Sequence, residues 1–202
     1  MTAVLPSPKP PVSVQPPKPH RWTIAEYRQL DKTGLFTDRK TMLLNGEIYI
    51  MPMPSPPHDA ALNFADAYLR KVVPADHHVR NQQAFDIGTA NDPGPDLAVV
   101  PGSIRDYVAK TPTAAALIVE VSVTSISTDL TTKAELYASV GVPEYWIVDV
   151  EARRLLVFRS PVSNPIGLGE EAYADRHSFG VDAAVATLFS PSVTIKVSEL
   201  LP

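Results

Sequence analysis

An α/β (α+β) fold built on one mixed sheet is what this sequence predicts, on three observations. Two apolar runs meet at Asn45-Gly46, the pattern of a tight antiparallel hairpin. A strand, a helix and a second strand follow one another between 117 and 150. That βαβ unit requires parallel strands and a right-handed crossover. A further helix over 55–72 is available to cover the sheet. Hairpin and βαβ unit together make the sheet mixed, with helices flanking it.

The elements follow in order. Residues 1–20 hold seven Pro and few apolar anchors, so they read as a disordered, polyproline-like tail, and a single domain spans 21–202. Thr23-Ile-Ala-Glu26 is a capping-box pattern that opens a short helix through Leu30. In the hairpin Thr41–Ile50 a two-residue turn sets Leu44 opposite Glu47 and Met42 opposite Tyr49. Leu43, Ile48 and Ile50 share the other face, the expected core face. Ser55-Pro56-Pro57-His58 reads as a helix start, with Ser at the cap and Pro in the first turn. Strands are expected at 79–87, 95–100 and 117–123. A helix over 128–140 carries Leu130, Ala134 and Tyr137 on one side and stops at Gly141. Strands Glu144–Val150 and Arg154–Arg159 come next, 160–180 reads as loop, and 184–200 closes the domain.

Composition excludes several function classes. With 45% apolar residues the chain can bury a sizeable core, so disorder throughout is excluded. Its longest apolar run, Ala114–Val119, ends at Glu120, far short of the roughly 20 residues of a membrane helix. No charged-then-apolar leader is read at the start. The absence of Cys removes disulfides, thiolate metal sites and cysteine nucleophiles, and a cytoplasmic location is expected. The net charge of −4 is uneven: 1–71 carry nine Lys/Arg against six Asp/Glu, 72–152 four against eleven, and 153–202 five against five. No basic stripe of the kind nucleic-acid binders show is visible. The acidic middle third is either a solvated surface or a cation site.

Chemistry concentrates at three residues. Glu120 interrupts the apolar run Leu117–Val123, on the face of Ile118 and Ser122. It is either a solvated Glu on a half-exposed strand or a buried carboxylate needing a proton, a partner or a metal. Asp96 follows Pro95 at the mouth of the apolar run 97–100; a turn-ending Asp is the plain alternative. Lys133 lies four residues after Asp129 on the helix that follows Glu120. The two form either a surface ion pair or an ammonium over the end of the sheet. Asp96, Glu120 and Lys133 together offer two oxygen ligands suited to Mg²⁺ and a cation to position water or steady a developing phosphorane.

The order Pro95-Asp96, Glu120-Val-Ser122 and a helical Lys133 resembles the PD-(D/E)XK nuclease superfamily. His58 after a Pro/Ser-rich turn, Asp129 with Lys133, and the stretch Tyr137–Asp149 narrow the likeness to the Uma2 branch, bacterial proteins described as restriction-endonuclease-like. The resemblance covers about 21–200 and implies a restriction-endonuclease-like core, with Mg²⁺ or Mn²⁺ held by Asp96 and Glu120. It makes Lys133 the motif lysine, displaced from the strand position that Ser122 fills. His58 matches a His common after the first hairpin, the alternative being a helix-start His kept neutral by the dipole. Gln83 resembles a supporting polar position on the strand before Asp96. One departure stands out: the family hairpin reads Glu-Leu-Ile-Asp-Gly, and here Met42-Leu-Leu-Asn-Gly46 puts Met42 in place of the acid. Glu47, on the same hairpin face, is either a partial substitute or a surface residue.

The expected function is therefore a metal-dependent endonuclease hydrolysing phosphodiester bonds of nucleic acid, DNA above RNA. The alternative is a catalytically weakened nuclease fold serving as a nucleic-acid-binding or oligomeric interaction module. Apolar surface on the late strands and on 160–180, together with the resemblance, makes a homodimer the expected assembly.

Overall fold

Thr23 caps the first helix in the way its pattern requires: its side chain accepts the Glu26 N–H, and the Glu26 carboxylate accepts the Thr23 N–H at 2.9 Å. In the computed structural model, which describes residues 17–202, this helix is α1 (Ile24–Asp31). The reading of 1–20 as a disordered tail falls, for residues 1–16, outside the described residues. The hairpin pairs β1 (Thr41–Leu44) with β2 (Glu47–Ile50) in the expected register, Met42 opposite Tyr49 and Leu44 opposite Glu47. Asn45 and Gly46 both take positive φ, as a tight hairpin turn demands. The expected core face needs correction. All of Met42, Leu43 and Leu44 are buried, whereas Ile50 is 55% exposed. β1 is covered on both sides: Leu43 meets Ile24 and Tyr27, while Met42 and Leu44 join the cluster under the sheet. β2 lies outside it.

Helix α2 (Pro56–Val72) ends where the sequence placed it; Ser55 occupies the cap position without a side-chain bond. The main sheet has the order β3 (His77–Asn81), β4 (Leu97–Pro101), β5 (Leu117–Ser122), β6 (Glu144–Asp149), β7 (Arg154–Pro161) and β8 (Tyr173–Gly180). Only β5 and β6 run parallel, so the sheet is mixed, with the βαβ unit at its centre. The strand expected over 79–87 stops at Asn81, because Gln82 takes φ +47 and turns the chain away. Within 160–180, expected as loop, β8 is an eight-residue strand paired to β7. Its residues are exposed after Tyr173 except half-buried Phe179, so no apolar alternation marks it.

Helix α3 spans 126–139 in three parts: Ile126–Thr128, a π turn over Asp129–Lys133, and Ala134–Ser139. It covers one face of the sheet through Ala134, Tyr137 and Ala138, beside Met42 and Leu44 of the hairpin. α2 covers the other face through Leu62, Ala65, Tyr68 and Leu69. The C-terminal strands β9 (Ala184–Ala186) and β10 (Thr194–Lys196) close that second core. Buried Glu144 fastens this end, accepting from Trp146 Nε1 and Arg159 Nε at 2.9 Å and from the Leu188 N–H at 2.8 Å. Among the described residues no helix is long and apolar enough to cross a membrane.

Candidate active site

Asp96 is placed by the turn before β4. Gly94, at φ +54, lets the chain reverse, and Pro95 delivers Asp96 to the strand mouth. The pairing of Leu97 with Val119, carried one step further, sets Asp96 across from Glu120 on the same sheet face. Its Oδ2 accepts the Val121 N–H at 2.9 Å and His58 Nε2 at 3.3 Å, and Oδ1 accepts Gln82 Nε2 at 3.3 Å. Burial pushes this carboxyl up. The His58 bond, the Val121 N–H and the field of Lys133 outweigh it and hold the group below its usual range. His58 moves the other way. Its bond to Asp96 raises it above an ordinary histidine despite burial. His58 is a first-turn helix residue that at the same time bonds Asp96.

Glu120 lies in the middle of β5 and is only 2% exposed, so the solvated-strand reading is excluded. Each oxygen has a partner. Tyr137 Oη donates to Oε1 at 2.6 Å, and Lys133 Nζ stands 2.9 Å from Oε2. Burial pushes the carboxyl up to about 7, against the pull of Lys133. Lys133 is itself buried and stands 2.9 Å from Asp129 Oδ1 as well, so this pair is no surface ion pair. Burial would lower the ammonium, but Glu120, Asp129 and Asp96 together hold it well above its ordinary value. Asp129 is in turn fixed by Ser125, whose hydroxyl donates to Oδ2 at 2.6 Å. The π turn supplies both Asp129 and Lys133, and such turns within helices concentrate at functional sites.

Asp96, Glu120, Lys133 and His58 line one cavity of about 300 Å³, together with Met42 and Ser125. Two of the expected residues are not brought there. Gln83 is exposed and lines a neighbouring cavity of about 340 Å³, and the amide that reaches Asp96 belongs to Gln82. Glu47 is a surface residue bound by Arg21 and, at 2.9 Å, by Tyr49 Oη, so it does not stand in for the missing acid. From the hairpin it is Met42, beside Thr41, that lines the cavity. Sequence reasoning missed Tyr137, Gln82 and Ser125 as site residues. Tyr137 had a usable signal, since it falls four residues after Lys133; Gln82 and Ser125 had none.

The donor set is two carboxylates. Among the described residues no three His, Asp or Glu side chains are grouped as a metal site. Hard oxygen ligands in that number still suit Mg²⁺, which commonly binds one or two carboxylates and keeps several waters. Each oxygen of Glu120 and Asp96 already accepts a protein contact, so such a site competes with Lys133, Tyr137 and His58.

Comparison with known proteins follows the same line. The family Uma2, described as "Putative restriction endonuclease", matches residues 24–186. Among solved structures, one titled as a "putative nuclease belonging to DUF820" from Anabaena variabilis ATCC 29413 shares the fold at a TM-score of 0.67 and 19% identity. The alignment covers 88% of this chain and 96% of that one. No curated protein matches the chain.

Proposed function

The chain belongs to the Uma2 family, described as "Putative restriction endonuclease", and from that footing we propose that it is a metal-dependent endonuclease cutting phosphodiester bonds of nucleic acid, DNA foremost. One observation carries the reading: a buried, charged Lys133 bridges Glu120 and Asp129 on the wall of a cavity that Asp96 also lines. Asp96 and Glu120 would hold Mg²⁺ or Mn²⁺. Such an ion, when bound, supplies Lewis-acid polarisation and a lowered water pKa. Lys133 keeps Glu120 ionisable near neutral pH and places positive charge where a phosphorane would build up negative charge. His58 and the Val121 N–H hold Asp96 charged and oriented; Tyr137 fixes the rotamer of Glu120. Exposed Ile166 and Leu168, between β7 and β8, support a homodimer as part of this reading, and the lack of Cys supports the cytoplasm.

Met42 favours a second reading, a nuclease fold with weakened catalysis. A thioether lies where the resemblance expects a third acid, and it faces the cavity directly. Calorimetric titration with Mn²⁺ separates the two. Micromolar or tighter uptake that Glu120→Ala abolishes supports the nuclease, whereas no uptake by the parent, restored by Met42→Glu, supports the weakened fold.

A further inference from the structure

Away from the cavity, the edge strand β3 carries a cation that no carboxylate pairs with among the described residues. Arg80 is half-buried and forms no ion pair among the described residues. Its guanidinium lies 5.6 Å from the centre of the Tyr107 ring, and Lys110 Nζ lies 5.5 Å from the same centre. His78, two residues before Arg80 on the same face of β3, sets its ring 5.5 Å from Tyr107 and donates through Nδ1 to the Gly102 carbonyl at 2.8 Å. Tyr107 is itself pinned, its hydroxyl donating to the Pro101 carbonyl at 2.9 Å. Two buried side-chain nitrogens without a hydrogen-bond partner among the described residues lie here, Arg80 Nε and His78 Nε2.

Burial without a carboxylate holds the Arg80 guanidinium below an ordinary arginine, with the Tyr107 ring only partly offsetting it. The nearby Asp106 accepts the Ser103 N–H at 2.7 Å and its hydroxyl at 2.9 Å and stays charged, so it partly offsets Lys110 and His78 but leaves Arg80 without a counter-charge. Two cations over one ring repel each other, and desolvating an unpaired arginine costs free energy. A bound anion removes both costs.

Position says which anion. Arg80 pairs with Ala98 and Ala98 with Ile118, the residue that shares a face with Glu120. Arg80 therefore lies on the active-site face, two strands across and one pleat repeat along from Glu120, roughly 12 Å away at sheet spacings. Gln82, two residues on, already touches Asp96. Cations interleaved with an aromatic ring are how proteins track a nucleic-acid backbone without reading its sequence.

We propose that Arg80, Lys110 and Tyr107 form a second nucleic-acid contact, which holds a backbone phosphate of the same strand whose scissile bond lies over Asp96 and Glu120. This rests on the nuclease reading, and it locates the basic surface that the sequence did not show: Arg80 and Lys110 are 30 positions apart and meet only across the sheet edge.

The test is fluorescence anisotropy of the full chain with a labelled single-stranded DNA of about 20 nucleotides, in EDTA, from about 50 to about 200 mM salt. Lys110→Glu, at an exposed position, and Arg80→Gln are each expected to weaken binding about tenfold. Each should also lower the slope of log affinity against log salt by about 0.7. Arg80→Lys keeps the charge and should fall between. Binding and slope equal to the parent in Lys110→Glu and Arg80→Gln would overturn the proposal. So would a parent that takes up no oligonucleotide at the lowest salt. The nuclease reading fails separately: if the parent binds DNA and the patch variants weaken it, yet the parent neither takes up Mn²⁺ nor nicks plasmid, the contact stands and the catalytic assignment falls.

Discussion

Glu120 shows how a single residue sets the conditions of the site. Its folded pKa, about 7, lies above the ordinary 4.5. A raised pKa means the folded state binds the proton more tightly than the unfolded one, so this group's contribution to stability is fully present below 4.5 and is lost as pH rises through about 7. Carboxyl-stretch infrared titration should find a midpoint near 7 that Glu120→Gln removes; a midpoint at 4 to 5 would contradict the burial argument. Lys133 supplies the main opposing pull, so Lys133→Met should drive that midpoint higher. At pH 7 the variant should then bind Mn²⁺ more weakly than the parent, and near pH 9, where Glu120 is ionised and Lys133 no longer competes for it, at least as well. Met42→Glu should tighten Mn²⁺ by about tenfold in calorimetry, since it adds a third oxygen ligand to the cavity wall. At this scale Asp96 and Glu120 stood out because charge inside an apolar run, or at its mouth, has few explanations, and Lys133 because of its spacing to Asp129 and the family resemblance. Gln82 was not legible, because which of two adjacent glutamines faces Asp96 depends on one positive φ.

Among the elements, the hairpin and α3 decide whether the cavity forms. Gly46 takes φ +72, and a Cβ there would stand 2.9 Å from Arg21 Cβ and 3.2 Å from the Trp22 nitrogen. Gly46→Ala should cost about 1–3 kcal/mol in urea unfolding, because strain and a backbone clash coincide. A loss under about 0.5 kcal/mol would show that the hairpin turn is free to relax. The hairpin register, α2 and the βαβ unit were all readable, since turn chemistry and apolar periodicity encode them locally. β8 was not, being an edge strand with only its first residue buried and hence no apolar alternation. The π turn was not readable either. It arises from fitting Asp129 and Lys133 against β5 while Tyr137 stays packed, and that is a tertiary demand with no local signature.

For the whole molecule, net charge and assembly set the behaviour in solution. A chain at −4 with basic groups confined to small patches should bind nucleic acid weakly and lose that binding steeply with salt. Sedimentation at micromolar concentration should return twice the chain mass of 21.9 kDa for the homodimer; a monomer mass throughout would contradict it. The central claim is that a charged lysine beside two carboxylates cuts phosphodiesters with a metal. It is tested most directly by nicking of supercoiled plasmid in Mn²⁺ near pH 9, where Lys133→Met should bind the ion at least as well as the parent. The parent should nick, EDTA should stop it, and Lys133→Met should be about a hundredfold slower or worse. Equal rates in the two proteins, or no nicking by the parent above buffer, would contradict the claim.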